Sequence, residues 1–348
     1  PIPGKNIKTN LILDIQSKAM EELKNINGAV VVIDCKTGGI NCLASSPSFN
    51  NNEFSNGVSN QKWNQLLNDK FNPLLNRSIA GLYSPGSTYK LITALFAIEK
   101  MNIDINKEIN CKGYLQFGNR KFHCWKKEGH GQVNLSTAIK KSCDCYFYNL
   151  AKKIDIDELS KFSEKFSFGN KSGIDIPNEF SGIMPNKNWK KSNRGERWQK
   201  GETLITVIGQ GYLLSTPLQI SLMTARIATG RQIIPSIIED KNVDFKKLDL
   251  SAKNLDFVRK AMLDVVNDFD GTAFKSRLSS KHRMAGKTGT SQVRKITLEE
   301  RESGVLKNEE IDYRLRDHSI FTAFAPFNNP KFAISVIAEH MGSGSKVA

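Results

Sequence analysis

No window of the 348-residue chain approaches the roughly 18 apolar residues that a membrane-spanning helix needs. The longest apolar stretches, such as Ala29-Val30-Val31-Val32-Ile33, are strand-sized. A basic segment followed by an apolar one, the mark of a secretory signal, is also missing, and the chain starts at Pro1-Ile2-Pro3-Gly4 without methionine. It therefore reads as an excised part of a longer protein. Aromatic platforms for stacking bases are few, with 4 Trp and 7 Tyr, and no zinc-finger or RNA-binding signature is present. Acidic residues are in deficit: 35 Asp and Glu against 50 Lys and Arg leave a net charge of +15. The excess is scattered from Lys5 to Lys346, so it implies attraction to an anionic surface or polymer, and nucleic acid is not an expected partner. What is present is the composition of a folded protein, 39% hydrophobic with 25 Gly and 11 Pro. The length allows one large domain or two lobes sharing a cleft.

Residues 14 to 24 read as a short amphipathic helix that Asp14 could cap. Strands are expected at 29 to 34 and 40 to 44, joined through Cys35-Lys36-Thr37-Gly38-Gly39 as an antiparallel hairpin. The Asn- and Ser-rich stretch 45 to 80 reads as a surface excursion with brief helices. After Pro85-Gly86 the run from Ser87 to Ile98 is apolar almost all round, which predicts a buried helix starting at that turn. Segments 136 to 152, 158 to 166, 216 to 229 and 252 to 267 also read as helices. Strand periodicity returns at 285 to 293, 319 to 325 and 331 to 339, with Pro326-Phe327-Asn328-Asn329-Pro330 as a connecting turn. Strands at both ends with helices between them imply an α+β fold: one antiparallel sheet built from the two termini, flanked by helices, with an all-helical insert packed against it.

Three short motifs carry chemistry. Ser87 and Lys90 are three apart in a predicted helix and share a face. A serine hydroxyl needs a base to take its proton, and a lysine buried beside Leu91, Ile92 and Ala94 is expected to have its pKa lowered toward neutrality. In Ser142-Cys143-Asp144, a second hydroxyl can relay a proton and the carboxylate can hold a lysine or a substrate amide. Lys287-Thr288-Gly289-Thr290 falls on a predicted strand, where its ammonium and hydroxyls suit a substrate carboxylate and Gly289 leaves room for a backbone to approach. Taken singly, each also describes an ordinary helix cap or surface pair. Together and in this order they match the Ser-x-x-Lys, Ser-x-Asn and Lys-Thr-Gly set of serine enzymes that attack peptide-like carbonyls, with Asp144 in place of the Asn.

Four of the six cysteines lie within residues 111 to 145, beside histidines. Cys111, Cys124, His130 and Cys143, at intervals of 13, 6 and 13, form a candidate structural zinc site, since thiolates with one imidazole suit tetrahedral Zn²⁺. The glycine-rich, weakly apolar loop 111 to 134 needs a local organiser, and a bond at Cys143 would fix the backbone between Ser142 and Asp144. His123 and Cys145 are the substitute ligands, although Cys145 should point away from Cys143. The alternative is four independent residues, with the thiols packing as small hydrophobes.

The chain resembles the class B penicillin-binding proteins, and within them the penicillin-binding protein 2 branch that elongates rod-shaped cells. The resemblance runs nearly end to end. It is carried by Leu11-Ile12-Leu13-Asp14, Gly28-Ala29-Val30-Val31, Tyr83-Ser84-Pro85-Gly86-Ser87-Thr88-Tyr89-Lys90, Gly129-His130-Gly131 and Ser142-Cys143-Asp144 with Tyr146-Phe147-Tyr148. It continues through Gly173-Ile174-Asp175-Ile176-Pro177, Gly209-Gln210-Gly211-Tyr212, Thr216-Pro217-Leu218-Gln219 and Lys287-Thr288-Gly289-Thr290. Division-specific relatives usually carry Ser-x-Asn, so Asp144 favours the elongation branch.

That resemblance implies a peptidoglycan D,D-transpeptidase that needs no cofactor for catalysis. Ser87 attacks the penultimate D-alanine carbonyl of a stem peptide, a neighbouring strand's amine resolves the acyl-enzyme, and β-lactams acylate the same serine. It further implies Lys90 as acylation base, Ser142 and Asp144 as relay and orienting groups, and Lys287, Thr288 and Thr290 as carboxylate binders. The N–H groups of Ser87 and Thr290 are then the oxyanion hole. The whole of 1–348 is expected to be the transpeptidase domain, with 1–87 and 230–348 in a sheet-containing lobe and 88–229 in a mainly helical one holding a zinc loop at 111–143. The resemblance also implies a place on the periplasmic face of the bacterial inner membrane and a membrane glycosyltransferase partner reached through a further N-terminal part. Two rivals share features of this reading: a serine β-lactamase, whose deacylating base could be sought among Glu179, Glu196 and Glu202, and a β-lactam sensor. The β-lactamase differs in activating water efficiently to clear the acyl-enzyme, and steady transfer to an amine acceptor separates a transpeptidase from the sensor.

Overall fold

The computed structural model describes residues 4–345 except 56, 241–242, 280–281, 295, 298–299 and 301–304. The chain opens with α1 (Leu13–Glu22), then β1 (Gly28–Asp34) and β2 (Ile40–Ser46), followed by three brief helices, α2 (Asn52–Ser55), α3 (Asn60–Leu67) and α4 (Arg77–Ala80). After α5 (Lys90–Met101) come four short strands, β3 (Ile109–Cys111), β4 (Tyr114–Phe117), β5 (Arg120–His123) and β6 (Gly131–Val133). Seven helices follow: α6 (Leu135–Lys140), α7 (Asp144–Ala151), α8 (Ile156–Ser163), α9 (Lys187–Arg194), α10 (Lys200–Thr206), α11 (Pro217–Thr229) and α12 (Ala252–Asn267). The chain closes on β7 (Ala285–Ser291), β8 (His318–Ala325) and β9 (Phe332–Ala338).

The two ends of the chain build one antiparallel sheet in the order β2-β1-β9-β8-β7, as the terminal strand signals imply. β1 lies inside this sheet and is covered on both faces, so it needs an unbroken apolar run. Its alternation sends Val31 and Ile33 into the main core and Val30 and Val32 into a smaller one with Ala19 of α1 and Leu23 just after it. α11 covers the other face, and its polar side chains are spent on the sheet: Ser221 donates to Val31 and Ala333 carbonyls, and Thr224 bonds Thr322 at 2.6 Å. This helix therefore packs on the sheet, although its place in sequence puts it at the end of the 88–229 helical stretch.

Several local expectations shift. Asp14 lies in the first turn of α1 rather than capping it, because the N-cap is Ile12. The region 109–133 forms two small two-stranded sheets, β3 with β6 and β4 with β5, where only loop was expected. The expected helix 136–152 is broken in two at 141–143. The break is a Schellman-type stop: Ser142 adopts φ +55, its N–H bonds the Ile139 carbonyl and the Cys143 N–H bonds Ala138. Glycine is usual in that left-handed position. A serine there signals that its hydroxyl has a use.

At the far end of β8, His318 accepts the His340 backbone N–H on Nδ1 at 2.9 Å, so its ring must stay neutral on that atom. The Tyr83 ring packs edge-on against it at 5.5 Å. Burial, and then the His340 charge, push His318 down to about 4, with Glu339 opposing weakly. A depressed histidine takes up its proton first in the unfolded chain, so this contribution to stability is complete above about 6.5 and is lost as pH falls toward the folded value. At about 1.4 kcal/mol per unit the loss is roughly 3 kcal/mol. Urea unfolding at pH 7 and pH 4.5 should show this fall in the wild type and a shallower one in His318→Gln, which keeps an uncharged acceptor. Identical pH dependence in both proteins would discount the histidine.

Candidate active site

α5 is buried on every side: Leu91, Ile92, Leu95 and Phe96 are at most 1% exposed, and so is Lys90 at its first turn. A lysine in such a place needs partners to offset the desolvation of its charge. Lys90 Nζ has three: the Ser142 carbonyl at 2.8 Å, Ser142 Oγ at 3.2 Å and Asp144 Oδ1 at 2.6 Å. The left-handed turn at Ser142 is what aims both of its oxygens at one ammonium. Asp144 is held from its other oxygen by the Trp125 N–H at 2.9 Å. Burial drives the Asp144 carboxyl upward, and the Lys90 charge opposes that push without cancelling it.

Lys287 on β7 reaches the same hydroxyl from the opposite side. It is fully buried, and its Nζ donates to Ser142 Oγ at 2.9 Å and to the Thr288 carbonyl at 3.0 Å. Burial, followed by the nearby Lys90 charge, pushes Lys287 well below the ordinary lysine value. Ser142 Oγ lies between the two amines and links them.

Ser87 sits one turn ahead, on a 3₁₀ turn Gly86–Thr88 that leads into α5, and is half-buried. Thr88 fixes the turn by donating to the Pro85 carbonyl at 2.7 Å. The turn is pressed against β7: a side chain at Gly86 would come within 2.4 Å of the Thr290 carbonyl oxygen, and one at Gly289 within 2.9 Å of Pro85 O. The structure therefore brings Ser87, Lys90, Ser142, Asp144, Lys287, Thr288, Gly289 and Thr290 to one junction, where the sheet edge meets the helices. Thr288 is buried and shares a 2.8 Å hydroxyl contact with Thr272, while Thr290 remains half-exposed.

Two contributors gave no sequence signal. Trp125 is 61% exposed, yet its indole N–H donates to the Ser142 carbonyl at 3.0 Å, bracing the same turn that Lys90 holds. Thr272 lies in the loop after α12, 16 residues before Thr288. The three glutamates considered as deacylating bases are engaged elsewhere: Glu179 accepts the Ser172 N–H, and Glu196 and Glu202 both pair with Lys190.

The ligating atoms of Cys111, Cys124, His130 and Cys143 lie within 4.8 Å of one another, and His123 and Cys145 fall outside this group. The His130 Nδ1 atom is 3.6 Å from Cys111 Sγ and 3.5 Å from Cys124 Sγ. Tetrahedral zinc with its usual bond lengths places sulfur and nitrogen ligands about 3.6 Å apart, so the donor set fits that ion. Hydrogen bonding from Cys143 draws the Cys111 thiol down to about 5 and Cys124 further still, which favours thiolate on two of the ligands. His130 Nε2 has no hydrogen-bond partner among the described residues, and its ring packs edge-on to Trp125 at 5.3 Å.

Residues 28–348 match the penicillin binding protein transpeptidase domain family. The chain belongs to that family. Its whole length aligns at 37% identity with the peptidoglycan D,D-transpeptidase MrdA of Acinetobacter baumannii, covering 53% of that protein. Among solved transpeptidase-family structures, PBP2 in its complex with MreC from Helicobacter pylori superposes with a TM-score of 0.90 at 38% identity, over 98% of this chain and 61% of that one. Pseudomonas aeruginosa PBP2 in complex with WCK 5153 gives 0.88 at 36%, over 100% and 77%. The penicillin-binding protein fold expected from sequence is therefore the fold observed, and the chain spans about half the length of the curated relatives it matches. No helix among the described residues is long and apolar enough to cross a membrane.

Proposed function

We propose that this chain is the catalytic portion of a peptidoglycan D,D-transpeptidase of the elongation type, acylated by stem peptides and by β-lactams at Ser87. The observation that carries the reading is the buried Lys90–Ser142–Lys287 chain, closed by Asp144 and lying beneath the Ser87 turn. Lys90 passes a proton through Ser142 Oγ to the depressed Lys287 amine and becomes the neutral base that takes the Ser87 proton. Ser87 Oγ then bonds to the penultimate D-alanine carbonyl carbon. Collapse of the tetrahedral adduct breaks the amide, and the leaving D-alanine nitrogen takes a proton back along the same relay. An acceptor strand's amine reverses these steps and forms the cross-link. Thr288, Thr290 and the charge at Lys287 suit the terminal carboxylate, and the Ser87 and Thr290 N–H groups suit the developing oxyanion. Intact-mass measurement with a penicillin, together with steady transfer of an acyl donor to D-amino acid acceptors, tests the assignment. Adduct formation without any transfer would favour the sensor reading.

In this reading the sheet-containing segments 1–87 and 230–348 and the mainly helical 88–229 are the two walls of the cleft. A parent protein anchored in the inner membrane, with its catalytic part on the periplasmic side and a membrane glycosyltransferase beside it, supplies the polymer strands. The basic surface suits that anionic setting.

Cys111, Cys124, His130 and Cys143 would hold a structural zinc ion, which supplies no step of the reaction and ties the 111–134 loop to the backbone between Ser142 and Asp144. Chelation should therefore lower the melting temperature and slow β-lactam acylation together. Protein purified without chelator that carries well under one zinc per chain and still acylates normally would remove the site.

A further inference from the structure

We infer that Gln210 is a positioning residue for acyl transfer: its carboxamide fixes the end of β7 so that the Thr290 N–H stands beside the Ser87 turn. The inference rests on the reading of Ser87 as nucleophile. β7 closes one side of the sheet, and among the described strands it pairs with β8 alone, so its other edge carries no described strand. Gln210 Nε2 donates to the Thr290 carbonyl at 2.7 Å, which places that carbonyl on the open edge. In an antiparallel ladder the N–H and C=O of one residue point to the same side. The Thr290 N–H therefore also faces the open edge, toward the cleft.

Three backbone segments meet at this point with no side chain between them. The Gly86 N–H donates to the Gly209 carbonyl at 2.8 Å. A Cβ on Gly209 would come within 2.0 Å of Gly86 O, and one on Gly86 within 2.9 Å of Thr290 N. Both glycines also have positive φ, so each position combines a close approach with a left-handed backbone. The 207–211 loop is itself anchored to the end of α10, through Gly209 N to Thr206 O and Gln210 N to Ile205 O. Backbone contact sets how near the Ser87 turn lies to β7. The Gln210 bond sets the orientation of the Thr290 peptide, and thereby the aim of its N–H. Losing that bond frees the strand end to rotate without opening the cleft, so the defect belongs to the bond-making step and not to ligand binding.

Gln210→Glu keeps the shape and removes the donor, and Gln210→Met removes it without adding charge. Stopped-flow acylation of the chain by a fluorescent penicillin separates the noncovalent constant Ks from the acylation constant k2. The expected result is a fall in k2 of at least ~10-fold in both variants, as for a weakened oxyanion donor. Ks and the melting temperature should stay at their wild-type values. A smaller fall in k2, or a fall matched by equal losses in Ks or in melting temperature, overturns the inference. Wild-type and Ser87→Ala proteins run alongside keep the two questions apart. If the wild type is not acylated at Ser87, the reading of the site fails. If it is, and Gln210→Glu acylates as fast, only the role of Gln210 fails.

Discussion

Wild-type protein incubated with a penicillin should gain one acyl group, and the Ser87→Ala protein should gain none. Ser87 is the half-exposed hydroxyl on a tight turn that leads into α5. Neighbouring serines are poor substitutes. Ser142 is 5% exposed, and its Oγ is engaged by two lysines. Ser84 is buried as well. Removing the nucleophile of a serine hydrolase costs about 10⁶ in turnover, so an adduct that forms in minutes on the wild type should be undetectable in the variant over hours. The substitution removes one oxygen from a half-exposed side chain on a turn whose shape is held by Thr88 and backbone bonds, and the melting temperature should not move. An adduct of the same mass on Ser87→Ala would place the nucleophile elsewhere.

Lys90→Ala should slow acylation by at least ~10²-fold, the usual worth of a general base. It also leaves the Asp144 carboxyl buried with the Trp125 N–H as its remaining hydrogen-bond donor, and breaking a buried ion pair costs about 3–5 kcal/mol. Stability and chemistry are separated by the double substitution Lys90→Met with Asp144→Asn, which removes both charges. That protein should regain most of the lost stability and remain slow. Acylation near the wild-type rate in either protein would strike Lys90 from the base role, whereas stability without recovery of rate supports it.

The sequence by itself determined the fold class, the strands at both termini, the buried helix after Pro85-Gly86 and the three motifs, together with the spacing of the zinc candidates. Each of these is written locally: strand and helix periodicity, glycine turns and short-range motifs survive in a one-dimensional reading. What the tertiary structure decided is how those pieces act on one another. A continuous helix over 136–152 satisfies the apolar pattern, and the left-handed stop there is held by groups distant in sequence, among them the Lys90 and Lys287 amines, 52 and 145 residues from Ser142. The lowered lysine pKa was expected at Lys90, because its apolar neighbours are visible in sequence. The strong depression at Lys287 had no sequence signal, because its burial and the neighbouring Lys90 charge come from elements far apart in the chain. Trp125 and Thr272 carry no motif of their own, and the Gly209-Gln210-Gly211-Tyr212 run marks the family without showing that Gln210 reaches Thr290, 80 residues away, since a hydrogen bond across the fold needs no local pattern. Periodicity fixed the elements. Desolvation and long-range hydrogen bonding, which depend on what surrounds a group in space, fixed the site.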